Sequence, residues 1–385
     1  MNQTVASYLL QYEPVQQLLA FLSKLLGFNA ISLLYFLIFA LAILAAVGFL
    51  SLVGGLGTYA ERKISADMQA RIGPNRVGPY GILQFLADGV KMLLKEDIVP
   101  TQSDKFLFYV APMLCIVGVF GTIAVVPFSS GFTIFDFNVG LVYLIGISSL
   151  VGLGVFLGGY GSNSKWSMLG GMRGASQIIS YEIPVVLSAL SIVLLSGGLS
   201  FSSLVKAQGG WPHQWFIFHN PFTFVGFFIL FIGSLAETNR APFDLPEAES
   251  ELVSGYHTEF SGMRFGFFAL AEYIEVFVVC GLAAALFLGG YNVPMNLGGD
   301  GLIGQVLQLG SFISKTLFLY YMVIVTRWTL PRLRVDQLMT MCWKYLIPIS
   351  MVNLIMVGLW MVAFDGKSIF DLIFSGASVA TGTGH

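Results

Sequence analysis

The chain has 385 residues, 56% of them hydrophobic and 10% charged, with a mean hydropathy of +0.80 and a formal net charge of −2. A soluble domain carries roughly a quarter charged residues, so this composition excludes one and indicates an integral membrane protein. The small net charge gives no basic surface for nucleic acid. Cys115, Cys280 and Cys342 lie far apart in or beside apolar segments, with no CxxC and no Cys/His pairing. They read as structural thiols in helices rather than iron–sulfur or zinc ligands.

In chain order, the first thirty residues lack a basic start, a compact apolar core and a small-residue cleavage site, so no cleavable signal peptide is expected. Residues 15–28 are amphipathic, and an interfacial helix is expected within 1–30. Eight apolar stretches then reach the ~20 residues that a span requires: 31–58, 106–127, 139–160, 174–198, 220–239, 263–289, 305–326 and 345–364. Long apolar runs, with Gly inside and Pro mainly near the ends, predict helices rather than the short alternating segments of a β-barrel. The expected fold is all-α: one polytopic membrane domain over 1–385, with about eight transmembrane helices and added amphipathic interfacial helices.

Eight spans put both termini on the same side. Fifteen of the nineteen Lys and Arg fall in or beside the connections between spans 1–2, 3–4, 5–6 and 7–8, against Lys24, Lys206 and Lys367 opposite, with Lys315 inside a span. The positive-inside bias places that richer face in the cytoplasm and both termini outside. The outer connection 199–219 carries Trp211, Trp215, His213 and His219, which read as interfacial anchors.

The cytoplasmic connection 59–105 opens on Arg62 and Lys63 and continues through turn chemistry between Arg71 and Gly81, where Gly73, Pro74, Asn75, Gly78 and Pro79 cluster. Residues 82–95 follow as a short amphipathic helix, with Ile82, Leu83, Phe85, Leu86, Val90, Leu93 and Leu94 against Gln84, Asp88, Lys91 and Lys95. Backbone bends beside basic residues suggest a built cavity or docking face as readily as an ordinary loop.

The connection 240–262 reads RAPFDLPEAESELVSGYHTEFSG. It holds Asp244, Glu247, Glu249, Glu251 and Glu259, with Arg240 as its one Lys or Arg. Pro242 and Pro246 argue against a helix at its start. In an extended loop Glu247, Glu249 and Glu251 would line one side; on a helix Glu249 would point away. Within the spans lie Glu182, Glu237, Glu272, Glu275 and Lys315. Intramembrane ionisable groups are costly and mark function by default. Glu272 and Glu275, three residues apart, share a helical face, and two carboxylates that close favour retention of one proton, as a relay requires. The plainer reading is that each glutamate satisfies a polar neighbour or pairs with Lys315.

Three segments, ERKISADMQARIGPNRVGPYGILQFLADGVKMLLKED, LGGMRGASQIISYE and AETNRAPFDLPEAESELVSGYHTEFSG, resemble a family of membrane subunits of respiratory complex I, the one that mitochondria represent by their subunit 1. The resemblance covers about residues 55 to 345. It implies a subunit of NADH:quinone oxidoreductase, a proton-pumping translocase, at the junction of the membrane and peripheral arms of a bacterial-type inner membrane complex. The subunit would hold no redox centre of its own. FMN and iron–sulfur clusters would belong to partners, and its loops, with two peripheral-arm subunits, would enclose the cavity that quinone reaches from the bilayer; small membrane-arm subunits would be further neighbours. It further implies quinone-cavity positions at Arg62, Arg71, Asp88, Arg240, Asp244, Glu247, Glu249 and Glu251. A proton path through Glu182 in SYEIP and Glu237 in AETNR would extend to Glu272 and Glu275. No metal site is expected. The loop carboxylates would either face the quinone and respond to its charge, or pair with basic residues of a docked partner. The alternative is the membrane anchor of a related energy-converting hydrogenase or ferredoxin-dependent complex.

Overall fold

The computed structural model describes residues 30–133, 135–247, 249–294, 301–364 and 366–370. The expected interfacial helix within 1–30 lies outside the described residues, apart from Ala30. The chain divides into two compact units, Met1–Val53 and Gly54–His385. Among the described residues every regular element is helical. The long elements are α1 (Ala30–Met68), α2 (Gln84–Leu94), α3 (Lys105–Ile123), α4 (Gly140–Gly161) and α5 (Lys165–Ser196). They are followed by the short α6 (Phe201–Lys206), then α7 (Pro221–Glu237), the single turn α8 (Glu249–Leu252), α9 (Gly262–Phe287), α10 (Leu302–Thr329), α11 (Val335–Thr340) and α12 (Ile347–Phe364).

Six described helical stretches are long and apolar enough to cross a membrane: α3, α4, α5, α9, α10 and the run Val335–Phe364. The 17-residue α7 is apolar but shorter, and it is held by an Asn220 cap that accepts from the Thr223 amide, with Pro221 at the first helical position. The protein is a polytopic, all-helical membrane protein. The described part of the first unit is the apolar start of α1, up to Val53. In the second unit, α9 is the central helix: 78% of its most apolar 18-residue window is buried, against 22% for the run ending in α12. It packs on α3, α7 and α10, while α5 packs on α4, α7 and α12.

The last helical run starts at Val335 rather than 345; two further limits differ from those expected, both for one reason. α1 continues ten residues past 58 to Met68, and α5 starts at Lys165 rather than 174. Both extensions are too polar or too Gly-rich to register as apolar spans, yet each buries a face: Glu61, Ser65 and Ala66 on α1, and Ser167, Gly170 and Gly171 on α5. Tertiary packing, not local hydropathy, sustains them. The amphipathic helix expected over 82–95 forms as Gln84–Leu94.

Pro184 lies inside α5 and removes the N–H that would bond the carbonyl of Ser180. The Cys342 thiol donates to that carbonyl at 3.1 Å from the π-helical turn Met341–Leu346, and the Tyr181 hydroxyl donates to the Leu338 carbonyl at 3.0 Å. A wide turn on one helix thus satisfies the break in its neighbour, two residues from Glu182. All three cysteines are buried and free of disulfides.

Candidate functional site

Two groups of ionisable side chains meet on α9. The first is an ion cluster at the junction of α1, α7, α9 and α10. Arg240 follows the end of α7, its side chain 4% exposed. Its Nη1 donates to Glu61 Oε2 at 3.0 Å, its Nε lies 3.0 Å from Glu272 Oε1, and its guanidinium sits 4.3 Å from the centroid of the Tyr273 ring. Arg327 on α10 pairs with the other oxygen of Glu61. Two cations and two carboxylates thereby balance. Burial works against the charge on Arg240. The carboxylates of Glu272 and Glu61, with the hydroxyls of Tyr273 and Tyr320, more than offset it and hold the guanidinium well above its ordinary value.

The second group is an intramembrane cavity walled mainly by valine, leucine and isoleucine and reached by three carboxylates, Glu182 from α5, Glu237 from α7 and Glu275 from α9, together with Thr122 and Ser148. Its volume is about 20 Å³, enough for at least one water molecule. The expected Glu272–Glu275 pair is therefore divided. Glu272 turns to Arg240 and Glu275 turns to Glu237 and Glu182, so one turn of α9 joins the two groups. Lys315, the alternative partner for these acids, instead donates to the carbonyls of Gly290 and Asn292 at 2.9 and 3.1 Å, beside the Trp215 ring.

The 240–262 connection folds back on itself. Its first part is non-helical, as Pro242 and Pro246 require, and α8 is one turn. Asp244 accepts from Arg332 at 2.7 Å. Glu247 accepts from the Tyr256 hydroxyl at 3.4 Å and lies 3.6 Å from Nδ1 of His257. Glu251 is half exposed and accepts from Arg173 on α5 at 2.7 Å. The side chain of Glu249 lies outside the described residues. Glu247 and Glu251 consequently have different surroundings and do not share one uniform acidic wall. Gly170 of α5 permits the loop's approach: a Cβ there would stand 2.7 Å from the Tyr256 nitrogen.

In the 59–105 connection, Arg62 donates to Asp88 at 2.5 Å, and Gln84 and Lys91 reach the same carboxylate at 3.3 and 3.8 Å. This ties the end of α1 to α2. Arg71 is exposed and donates to Gln69. Glu96 and Ile98 engage the Ser261 hydroxyl, and Asp97 pairs with Arg264 at 2.9 Å, the guanidinium lying 3.9 Å from the Tyr109 ring centroid. The two connections are thus fastened to each other.

Sequence reasoning passed over Glu61, Arg327, Arg332 and His257. A signal for Glu61 exists: Gly54, Gly57, Glu61 and Ser65, spaced 3, 4 and 4, form one buried helical stripe once α1 is known to run past 58. The exposed Arg173–Glu251 pair offers a contrast. Substituting Arg173 by alanine is expected to change stability by less than ~1 kcal/mol, because exposed pairs are screened and entropically costly; thermal denaturation of the purified complex measures this.

Residues 17–358 match the family described as NADH dehydrogenase. The chain belongs to the NADH dehydrogenase family. It is 45% identical over 339 residues to the H subunit of NADH-quinone oxidoreductase from Anaeromyxobacter dehalogenans, covering 84% of this chain and 82% of that protein. It is 49% identical over 314 residues to the H subunit from Chlorobaculum tepidum, covering 80% and 87%. It is 45% identical over 337 residues to NADH-quinone oxidoreductase subunit 8 of Rhodothermus marinus, covering 85% and 98%. Both the Arg240 cluster and the Glu182–Glu237–Glu275 cavity fall inside the region matching the family.

Proposed function

We propose that this chain is a membrane subunit of NADH:quinone oxidoreductase, at the junction with the peripheral arm, whose cytoplasmic connections wall a quinone cavity and pass the consequences of quinone reduction into the membrane. Partners hold FMN and the iron–sulfur clusters and deliver two electrons. The quinone takes two protons in becoming quinol, and the demand for them falls on the carboxylates nearest the cavity. The complex sits in a bacterial-type inner membrane, with both termini of this chain on the outer side.

One observation supports this reading above the rest: acids stand in the loop, at the Arg240 cluster and around the cavity between the helices. Asp244 and Glu247 lie in the connection, Glu272 is held by Arg240 at the membrane edge, and Glu275 faces Glu237 and Glu182 around a water-sized cavity. A carboxylate at each step, with water between, is the arrangement that proton transfer requires.

Glu237→Gln keeps size and polarity but cannot release a proton. In the intact complex it is expected to lower coupled quinone reductase turnover and proton translocation by roughly a hundredfold, the modest end for removal of one proton-transfer group. Subunit content should be unchanged. Wild-type coupling in that variant would remove Glu237 from the path. Photolabelling by a quinone analogue should mark the 59–105 and 240–262 connections, and its absence there would reject the cavity.

A further inference from the structure

His257 lies in a 3₁₀ turn, Gly255–His257, that α4 and α5 hold in place. Its side chain is 12% exposed and rests between the Tyr256 and Phe265 rings, with centroids 4.9 and 5.1 Å away. Its Nδ1 is buried and makes no hydrogen bond among the described residues. Among the described residues the acid beside it is Glu247, whose Oε1 stands 3.6 Å away and already accepts from the Tyr256 hydroxyl. A buried ring nitrogen without a partner is costly, and a carboxylate confined beside it is costlier, unless the two satisfy each other.

We propose that Glu247 and His257 form one proton-holding pair, in which the carboxyl O–H of Glu247 faces the Nδ1 lone pair of His257 and the proton passes between the two atoms. In the resting form both groups are neutral. On transfer, the O–H bond of Glu247 breaks and an Nδ1–H bond forms, leaving a carboxylate and an imidazolium in contact. Charge is conserved, and the ion pair is stabilised by the same proximity that disfavours either ion alone. Oxidants and reductants take no part.

The surroundings favour the neutral resting form. Burial, then the carboxylates of Glu272 and Asp244, push Glu247 well above the ordinary carboxylate range, against opposing contributions from Arg240 and the Tyr256 hydroxyl. Burial alone pushes His257 down to about 4. Both directions favour the form in which the pair's shared proton rests on Glu247 rather than on His257. A change of charge in front of the loop, such as reduction of a quinone, shifts that proton toward or away from the imidazole. This last step alone rests on the reading of 240–262 as a quinone-cavity wall.

The test is infrared difference spectroscopy on the intact purified complex. Wild type minus Glu247→Gln is expected to show a protonated-carboxyl C=O band at neutral pH. His257→Phe, which keeps the aromatic packing and removes the acceptor, should retain that band at a shifted frequency and lower quinone reductase turnover several-fold with normal subunit content. A difference spectrum showing only loss of carboxylate overturns the pair, as does a band unmoved by His257→Phe. The spectroscopic arm requires no quinone. Failure of quinone-analogue labelling in the wild type would instead defeat the cavity reading and leave the pair standing.

Discussion

Arg240→Met is expected to prevent accumulation of the assembled complex in the membrane. The guanidinium is the shared cation of Glu61 and Glu272, and two residues on α9 and α10, Tyr273 and Tyr320, complete its surroundings. Removing it leaves Glu272 buried without its cation and Glu61 with Arg327 alone. Breaking a buried ion pair by deleting one partner costs about 3–5 kcal/mol, and total stability is only about 5–15 kcal/mol. Arg240→Lys should be only a partial remedy. An ammonium is a point charge and cannot both bridge two carboxylates on different helices and lie flat on the Tyr273 ring. The decisive control neutralises the acids: Glu61→Gln and Glu272→Gln placed in the Arg240→Met background should restore much of the subunit content, measured by immunoblot of membranes, although not the turnover. A single Arg240→Met variant that assembles at wild-type levels would show that the cluster adds nothing to stability.

Gly255→Ala is expected to abolish quinone reductase activity. Gly255 adopts φ +59°, a conformation that favours glycine, and an added Cβ would stand 1.7 Å from the carbonyl oxygen of Pro246. That atom is backbone, so relief requires the loop to open rather than a side chain to turn. Opening separates Glu247 from Tyr256 and His257 and withdraws the turn from its seat on Gly170. The expected signature is loss of turnover with the helical content of the purified complex preserved, read by circular dichroism, and with new protease cleavage between residues 244 and 260. Alanine at Gly89 or Gly310, where a Cβ meets nothing within 4 Å, supplies the comparison and should leave activity intact.

Much of the architecture was legible because a bilayer imposes simple demands. Apolar runs of a set length mark spans, and Pro242 and Pro246 forbid an early helix in the acidic connection. The alternation of apolar and polar residues over 82–95 marks α2 within two residues of its observed ends. The local signals failed where a helix is sustained by contacts instead of composition, as in the polar end of α1 and the Gly-rich start of α5.

Sequence alone determined that this is a polytopic helical membrane protein, that its ionisable groups concentrate in two connections and a few helical positions, and that its motifs are those of a complex I membrane component. Those properties follow from composition, period and short-range spacing. Tertiary structure decided the partnerships. Glu61 and Arg240 lie 179 positions apart, Asp244 and Arg332 lie 88 apart, and Arg327 and Glu61 lie 266 apart. No periodicity links such residues. Only the packing of α1, α7, α9 and α10 brings Glu61, Arg240 and Arg327 into one low-dielectric site where each must find its opposite. The same packing separated Glu272 from Glu275, neighbours in sequence, and gave one to the ion cluster and the other to the membrane cavity.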